Sequence, residues 1–170
     1  MTSAELLTDA FGRVRDVVHR AVDGLTEDEL AQRVDDGSNT IAWLVWHLTR
    51  IQDDHVAAVV GAEQVWTARG WAERCKLPFN PRATGYGQSA DEVGAVRLTS
   101  GLLTGYHDDV HAATVRFVDG VTDSDLDRVV DRSWDPPVTL GVRLVSVISD
   151  GLQHAGQAAF VRGVVERLAR

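Results

Sequence analysis

Four long stretches of this chain repeat apolar side chains at the three-and-four spacing of an α-helix, and shorter breaker-rich pieces separate them. The first runs from about Ser3 to Val22, where Leu6, Leu7, Ala10, Phe11, Val14, Val17, Val18 and Ala21 recur among arginines and aspartates. Ser3 is the expected N-cap, and Gly24 ends the run. Thr26 with Glu29 has the capping-box pattern of a short helix. The turn Asp35-Asp36-Gly37-Ser38-Asn39 then opens a second long helix, from about Thr40 to Val60, with Gly61 as its C-cap. Its apolar stripe is Ile41, Leu44, Leu48, Ile51, His55 and Val59.

Residues 62–88 are irregular, with helical pieces expected between Gln64 and Lys76 and a run of breakers from Pro78 to Gly87. A loop this long in a compact domain is usually functional or mobile. Ser89 caps a third long segment, from about Ala90 to Val118, with a kink expected near Ser100-Gly101 and a stop at Asp119-Gly120. Thr122 to Leu126 reads as another short helix start. Trp134-Asp135-Pro136-Pro137 is a firm boundary, and the last helix runs from about Leu140 to Ala169. Sustained period-two alternation is missing outside short pieces such as Arg128 to Asp131. The pattern predicts one all-α domain over residues 1–170: a four-helix bundle with a long crossover loop and short extra helices.

Composition narrows the function classes. A formal net charge of -8 with no basic cluster excludes nucleic acid as the expected partner. No run of apolar residues is long enough to span a bilayer, and the N-terminus lacks a basic region ahead of an apolar stretch. Cys75 is the single cysteine, so no internal disulfide can form. A reducing, cytoplasmic location is therefore expected.

The polar residues on apolar helix faces carry the candidate chemistry. With residues about 100° apart on a helical wheel, His47 flanks the second helix's stripe beside Ile51, Asp54 and Ala58. Asp150 and His154, four apart, stack on one face of the last helix with Val147, Ala158, Val161, Val165 and Leu168. A carboxylate on an apolar stripe is costly unless paired or bound to metal. Two histidines and a carboxylate facing one another could occupy three positions around a divalent cation and leave a fourth open. The bland alternative is that Asp150 accepts a hydrogen bond from His154 or Arg143 and that His47 is a core histidine bonded to a carbonyl. His107 and His111, also four apart and sharing a face with Leu103, Thr114 and Val118, form an equally well spaced ligand pair. His55 lies deeper in its stripe than His47, and His19, beside charged residues, is expected to face solvent. Spacing alone does not choose between these sites.

Two stretches resemble a known family. Ile41-Ala42-Trp43-Leu44-Val45-Trp46-His47-Leu48 resembles the second-helix motif of the DinB-like superfamily, which includes mycothiol-dependent maleylpyruvate isomerase. Asp150-Gly151-Leu152-Gln153-His154-Ala155-Gly156-Gln157 resembles its last-helix motif, and the loop from Pro78 to Gly87 resembles an actinobacterial branch of mycothiol S-transferases. The resemblance implies a bundle holding one divalent metal, with His47, Asp150 and His154 as ligands and no further catalytic residue. Many relatives carry His, and the isomerase type Glu, where Asp150 stands. Zinc is the first expectation, nickel or another divalent metal the alternative.

Such a metal would favour the thiolate of a bound thiol, and the implied activity is transfer of mycothiol sulfur to a small electrophile. Mycothiol, as cosubstrate, is a polar, sugar-containing thiol; Arg82, Tyr86, Gln88 and Gln157 are the candidates to bind it. Cys75 reads as a spare thiol, and Trp43, Trp46, Trp66, Trp71 and Trp134 as core or contact residues or as walls of an electrophile pocket. The resemblance also implies a homodimer. The alternatives are a metal-dependent hydrolase or isomerase that uses no thiol, and a non-catalytic stress-related binding protein on the same scaffold.

Overall fold

A computed structural model describes residues 1–168. Its frame is four long helices: α1 (Ser3–Val22), α3 (Ile41–Val60), α7 (Ser100–Val118) and α8 (Leu140–Leu168). Short helices α2 (Glu27–Leu30), α4 (Val65–Ala68), α5 (Trp71–Cys75) and α6 (Ala90–Gly94) fill the connections. A 3₁₀ turn (Asp123–Asp127) and a two-stranded antiparallel ribbon, β1 (Val129–Asp131) with β2 (Val138–Thr139), lead into α8.

Side-chain pairs fix the direction of each helix. His55 meets Arg143 at 3.2 Å while the His47 ring lies 4.8 Å from that of His154, so α3 and α8 run antiparallel. His19 on α1 bonds Asp108 on α7 at 2.8 Å, while Leu7 and Phe11 pack with Val118, so α1 and α7 are antiparallel. Thr49 contacts His107, and Gln52 contacts Thr114, so α3 and α7 are parallel. The bundle is therefore up-down-down-up, and residues 61–99 form the crossover that carries the chain back to start α7 parallel to α3.

The helix boundaries follow from caps. The N-cap of α1 is Thr2 rather than Ser3: its side chain accepts from the Glu5 N–H and Glu5 answers it, a complete capping box. The Thr26–Glu29 box is present as read from the sequence. Thr40 caps α3 by accepting from the Trp43 N–H at 3.0 Å, and Gly61 closes it in the left-handed conformation. The expected single helix from Ala90 to Val118 is instead two. Residues 95–99 leave the helix, Val96 and Leu98 bury into the core, and Thr99 caps a new start by accepting from the Leu102 N–H. The break thus lies just before Ser100, as an interruption rather than a kink.

Burial departs most from expectation on α3. Every residue from Ile41 to Arg50 is buried, so this helix has no solvent face over its first half. Beyond it, Gln52 and Asp53 are buried while Ile51, His55 and Val59 are only half-buried. His55 is consequently shallower than His47, the reverse of the wheel reading. His19 is half-buried against Asp108 rather than solvent-facing. Leu168, placed on the core stripe by the wheel, is 73% exposed. Trp43, Trp46, Trp66 and Trp71 are core residues, whereas Trp134 is exposed.

Thr40 is fully buried, so its cap bond has no competing water. Thr40→Ala is expected to cost about 1 kcal/mol of stability, and Thr40→Ser to restore most of it. Urea unfolding of the two variants checks this; equal losses would show that the methyl packing, not the hydroxyl, holds the start of α3.

Candidate metal centre

α3 contributes His47, and α8 contributes Asp150 and His154 one turn apart. One ligand-capable atom from each lies within 4.8 Å of the others, and this is the group of three or more such residues found among the described residues. Both imidazoles are oriented from behind. His47 Nδ1 donates to the Thr84 carbonyl at 2.6 Å, and His154 Nδ1 donates to the Asp150 carbonyl at 2.9 Å. A carbonyl can only accept, so each ring carries its proton on Nδ1 and keeps the Nε2 lone pair for another partner. Trp43 stacks on His47 at 4.5 Å between ring centroids and 12° between planes, which fixes the ring's rotation.

The electrostatics of the two rings differ. Burial pushes the His47 imidazole below its ordinary range, with the Thr84 bond opposing. The Asp150 carboxylate, 3.5 Å from His154 Nδ1, is the main cause of the upward shift of His154, with burial opposing. Asp150 Oδ2 is buried with no hydrogen-bond partner among the described residues. A buried, unsatisfied carboxylate oxygen is expensive. A donor set of two imidazole nitrogens and one carboxylate oxygen fits a divalent cation, and such a cation would satisfy that oxygen.

Residues 6–167 match the mycothiol-S-transferase family. The chain belongs to the mycothiol-S-transferase family. A crystal structure of a conserved protein from Enterococcus faecalis is similar to it throughout, with 27% identity and a TM-score of 0.90, covering 97% of this chain and 98% of that one. No curated protein matches the chain.

In this member of the family the crossover segment supplies the orienting carbonyl, and a buried polar network holds that segment. Arg50, wholly buried, donates from Nε to the Ala83 carbonyl at 3.1 Å, one residue before Thr84. Its Nη1 donates to Gln64 at 2.8 Å and to the Tyr106 hydroxyl at 3.3 Å. Asp53, 3.7 Å from Arg50, accepts from the Val65 and Trp66 N–H groups at 2.8 Å each and from the Tyr106 hydroxyl at 2.8 Å. None of these residues stood out in the sequence. The available signal was two opposite charges three apart inside a run dense in tryptophan and leucine. Gly85 completes the contact: its φ of +97 suits glycine, and a Cβ there would stand 2.7 Å from His47 Nδ1.

The rival pair is built differently. Thr49 Oγ1 donates to the Val45 carbonyl at 2.7 Å and so accepts from His107 Nδ1 at 3.0 Å. Among the described residues, His107 Nε2 and His111 Nδ1 are both buried without partners, but no third ligand joins them. Asp108 turns to Arg15 and His19, and Asp109 to Arg69 and Trp71. Cys75 is buried and its thiol is pushed up to about 11, chiefly by that burial, as suits an inert core residue. Of the residues read as thiol contacts, Tyr86 is 91% exposed, Arg82 is exposed, and Gln88 accepts from Trp43 Nε1 at 2.7 Å. Gln157 lines a cleft with Leu44 and Phe160.

Two outcomes follow from these packings. Gly85→Ala is expected to cost about 1–3 kcal/mol through backbone strain and to release His47 Nδ1 from Thr84. Nitrogen-15 NMR of the ring reads the tautomer; an unchanged His47 signal in the folded variant would sink the loop's orienting role. Burial holds His107 down to about 3, against 6.5 for the free side chain. The unfolded chain therefore takes up the proton first, and stability is lost as pH falls from 6.5 toward 3. His107→Asn keeps an N–H for Thr49 but cannot titrate, so it should flatten that decline by up to about 1.4 kcal/mol per pH unit. Urea midpoints at stepped pH measure it, and parallel wild-type and variant curves would refute it.

Proposed function

We propose that this protein is a divalent-metal-dependent mycothiol S-transferase in which His47, Asp150 and His154 hold the metal. The observation that carries the reading is the orphaned Asp150 carboxylate oxygen beside two imidazoles whose Nδ1 protons are already committed. Membership of the mycothiol-S-transferase family supports the thiol as cosubstrate. A divalent cation bound there, zinc in the first instance, would act as a Lewis acid that favours the thiolate at neutral pH.

The chain's own residues bind and orient. Thr84 and Trp43 hold His47 in one tautomer and one rotation, so ordering it costs nothing when the site fills. Asp150 offers a negative charge that offsets a cation in a buried setting. The sulfur of mycothiol then attacks an electrophilic carbon, forming the C–S bond while the thiol proton passes to solvent and any leaving group departs. With its thiol buried and held protonated, Cys75 is unsuited to compete as nucleophile. Arg82, Tyr86 and Gln157 remain the proposed contacts to the polar body of the thiol.

Elemental analysis of the untagged protein tests the centre. Near-stoichiometric metal is expected in the wild type, with loss in His154→Ala and weakening in Asp150→Asn. Metal retained in His154→Ala but lost in His107→Ala would move the centre to the other pair. No uptake after loading with zinc, nickel and manganese would end the metalloenzyme reading. Turnover of an electrophile by the metal-loaded protein without added thiol would replace the transferase with a hydrolase or isomerase.

A further inference from the structure

A cleft of about 640 Å³ opens one helical turn beyond the histidines. Leu44 on its wall is three residues before His47, and Gln157 is three after His154, so each sits about 4.5 Å along its helix from a ligand candidate. Because α3 and α8 are antiparallel, both steps lead toward the same end of the bundle. The facing lip is the turn Asp35 to Asn39 that precedes α3. This lip is ordered from within: Asp35 accepts from the Gly37 N–H at 2.9 Å, and its carbonyl accepts from Ser38 at 3.1 Å. Arg33 ties the segment to the Asp36 and Ala90 carbonyls.

The lining is mixed in a particular way. Asp35, Ser38, Asn39 and Gln157 offer a carboxylate, a hydroxyl and two carboxamides, all able to bond hydroxyl groups. Phe160 presents its ring beside them at 65% exposure, a large apolar surface left open to water. Polar groups of both donor and acceptor type around an exposed aromatic ring suit a sugar or cyclitol. Its hydroxyls meet the polar groups, and its C–H face lies against the ring. The cleft's volume also lies within the usual range for small-molecule sites.

We propose that this cleft binds the polyhydroxylated part of the thiol cosubstrate, with the sulfur arm reaching back past Leu44 and Gln157 to the His47–Asp150–His154 cluster. The proposal rests on the S-transferase reading for the sulfur end, but the cleft itself can be tested apart from it. The site lies on the rim of the bundle, so substitutions at Asn39 and Phe160 leave the core intact.

Calorimetry on the zinc-loaded protein would compare mycothiol with N-acetylcysteine, which has the thiol but no sugar. Asn39→Ala/Phe160→Ala is expected to weaken mycothiol by about tenfold or more while leaving N-acetylcysteine and metal content unchanged. Equal weakening of both thiols, or of neither, would overturn the cleft. The sulfur-free sugar–cyclitol half, titrated into metal-free protein, separates the two claims. Shifts confined to the Asn39, Gln157 and Phe160 NMR signals would support the cleft even if no transferase activity were found. No shifts at millimolar ligand would overturn the cleft and leave the transferase reading standing.

Discussion

The buried Arg50–Asp53 pair is the constraint on which the crossover, and through it the candidate centre, depends. α3 is enclosed on all sides over its first half, and two opposite charges at its middle cannot reach water. Buried charges persist only when hydrogen bonds meet them. Asp53 finds them in the N–H groups that start α4 and in Tyr106, while Arg50 finds them for Nε in the Ala83 carbonyl and for Nη1 in Gln64 and Tyr106, its Nη2 alone having no partner among the described residues. The long irregular segment is thus pinned at both ends of its course, at residues 64–66 and at 83. Thr84 is presented to His47 as a consequence. Sequence distance hides this economy: the residue that orients His47 comes from 37 positions away, held by an arginine three positions further along the same helix.

How much of this was legible depends on which physical rule governs each element. α1, α3 and α8 are strongly periodic and bounded by Thr, Gly or Pro signals; the spans of α1 and α3 and the start of α8 agree with the structure to within a residue or so, and the expected end of α8 at Ala169 lies outside the described residues. The break before α7 was not legible, because residues 95–99 read Ala-Val-Arg-Leu-Thr, with no Gly or Pro to mark a stop. It is a tertiary effect: Val96 and Leu98 alternate into the core in an extended stretch, while Arg97 reaches Glu27 and Asp28 on α2. The wheel also misleads over the first half of α3, because a helix enclosed on all sides has no stripe to find. The wheel therefore does not single out the buried Arg50–Asp53 pair, whereas His55 lies beyond the enclosed half, where the helix turns a half-buried face outward. The pairing of Asp150 with His154 needed only helix geometry, whereas their meeting with His47 required knowing that α3 and α8 run antiparallel.

The two histidine clusters show why spacing is weak evidence. Both offer histidines four apart or facing, both bury one of them and half-bury its neighbour, and both fix a ring through an Nδ1 hydrogen bond. The difference lies in the carboxylates. Near His107 the two candidate aspartates are drawn off by cations and an indole on neighbouring elements, so the pair remains neutral nitrogen ligands without a countercharge. Arg15 lies close enough to His111 to be among the causes of its lowered pKa, which further disfavours a cation there. In the other cluster Asp150 keeps one oxygen uncommitted.

That uncommitted oxygen bears on stability as well as on chemistry. A network left one partner short is less stable than a completed one, and the deficit falls to whatever ligand completes it. A cation that binds the folded chain and not the unfolded one adds its binding free energy to the stability of the fold. Gly151, next in sequence to Asp150, lets α8 approach α1 so closely that a Cβ would stand 3.3 Å from Val14. The carboxylate's position is therefore set by helix packing on one side and by its own helix's histidine on the other. The three side chains of the candidate centre are thus held in place by the packing of the bundle before any ligand arrives.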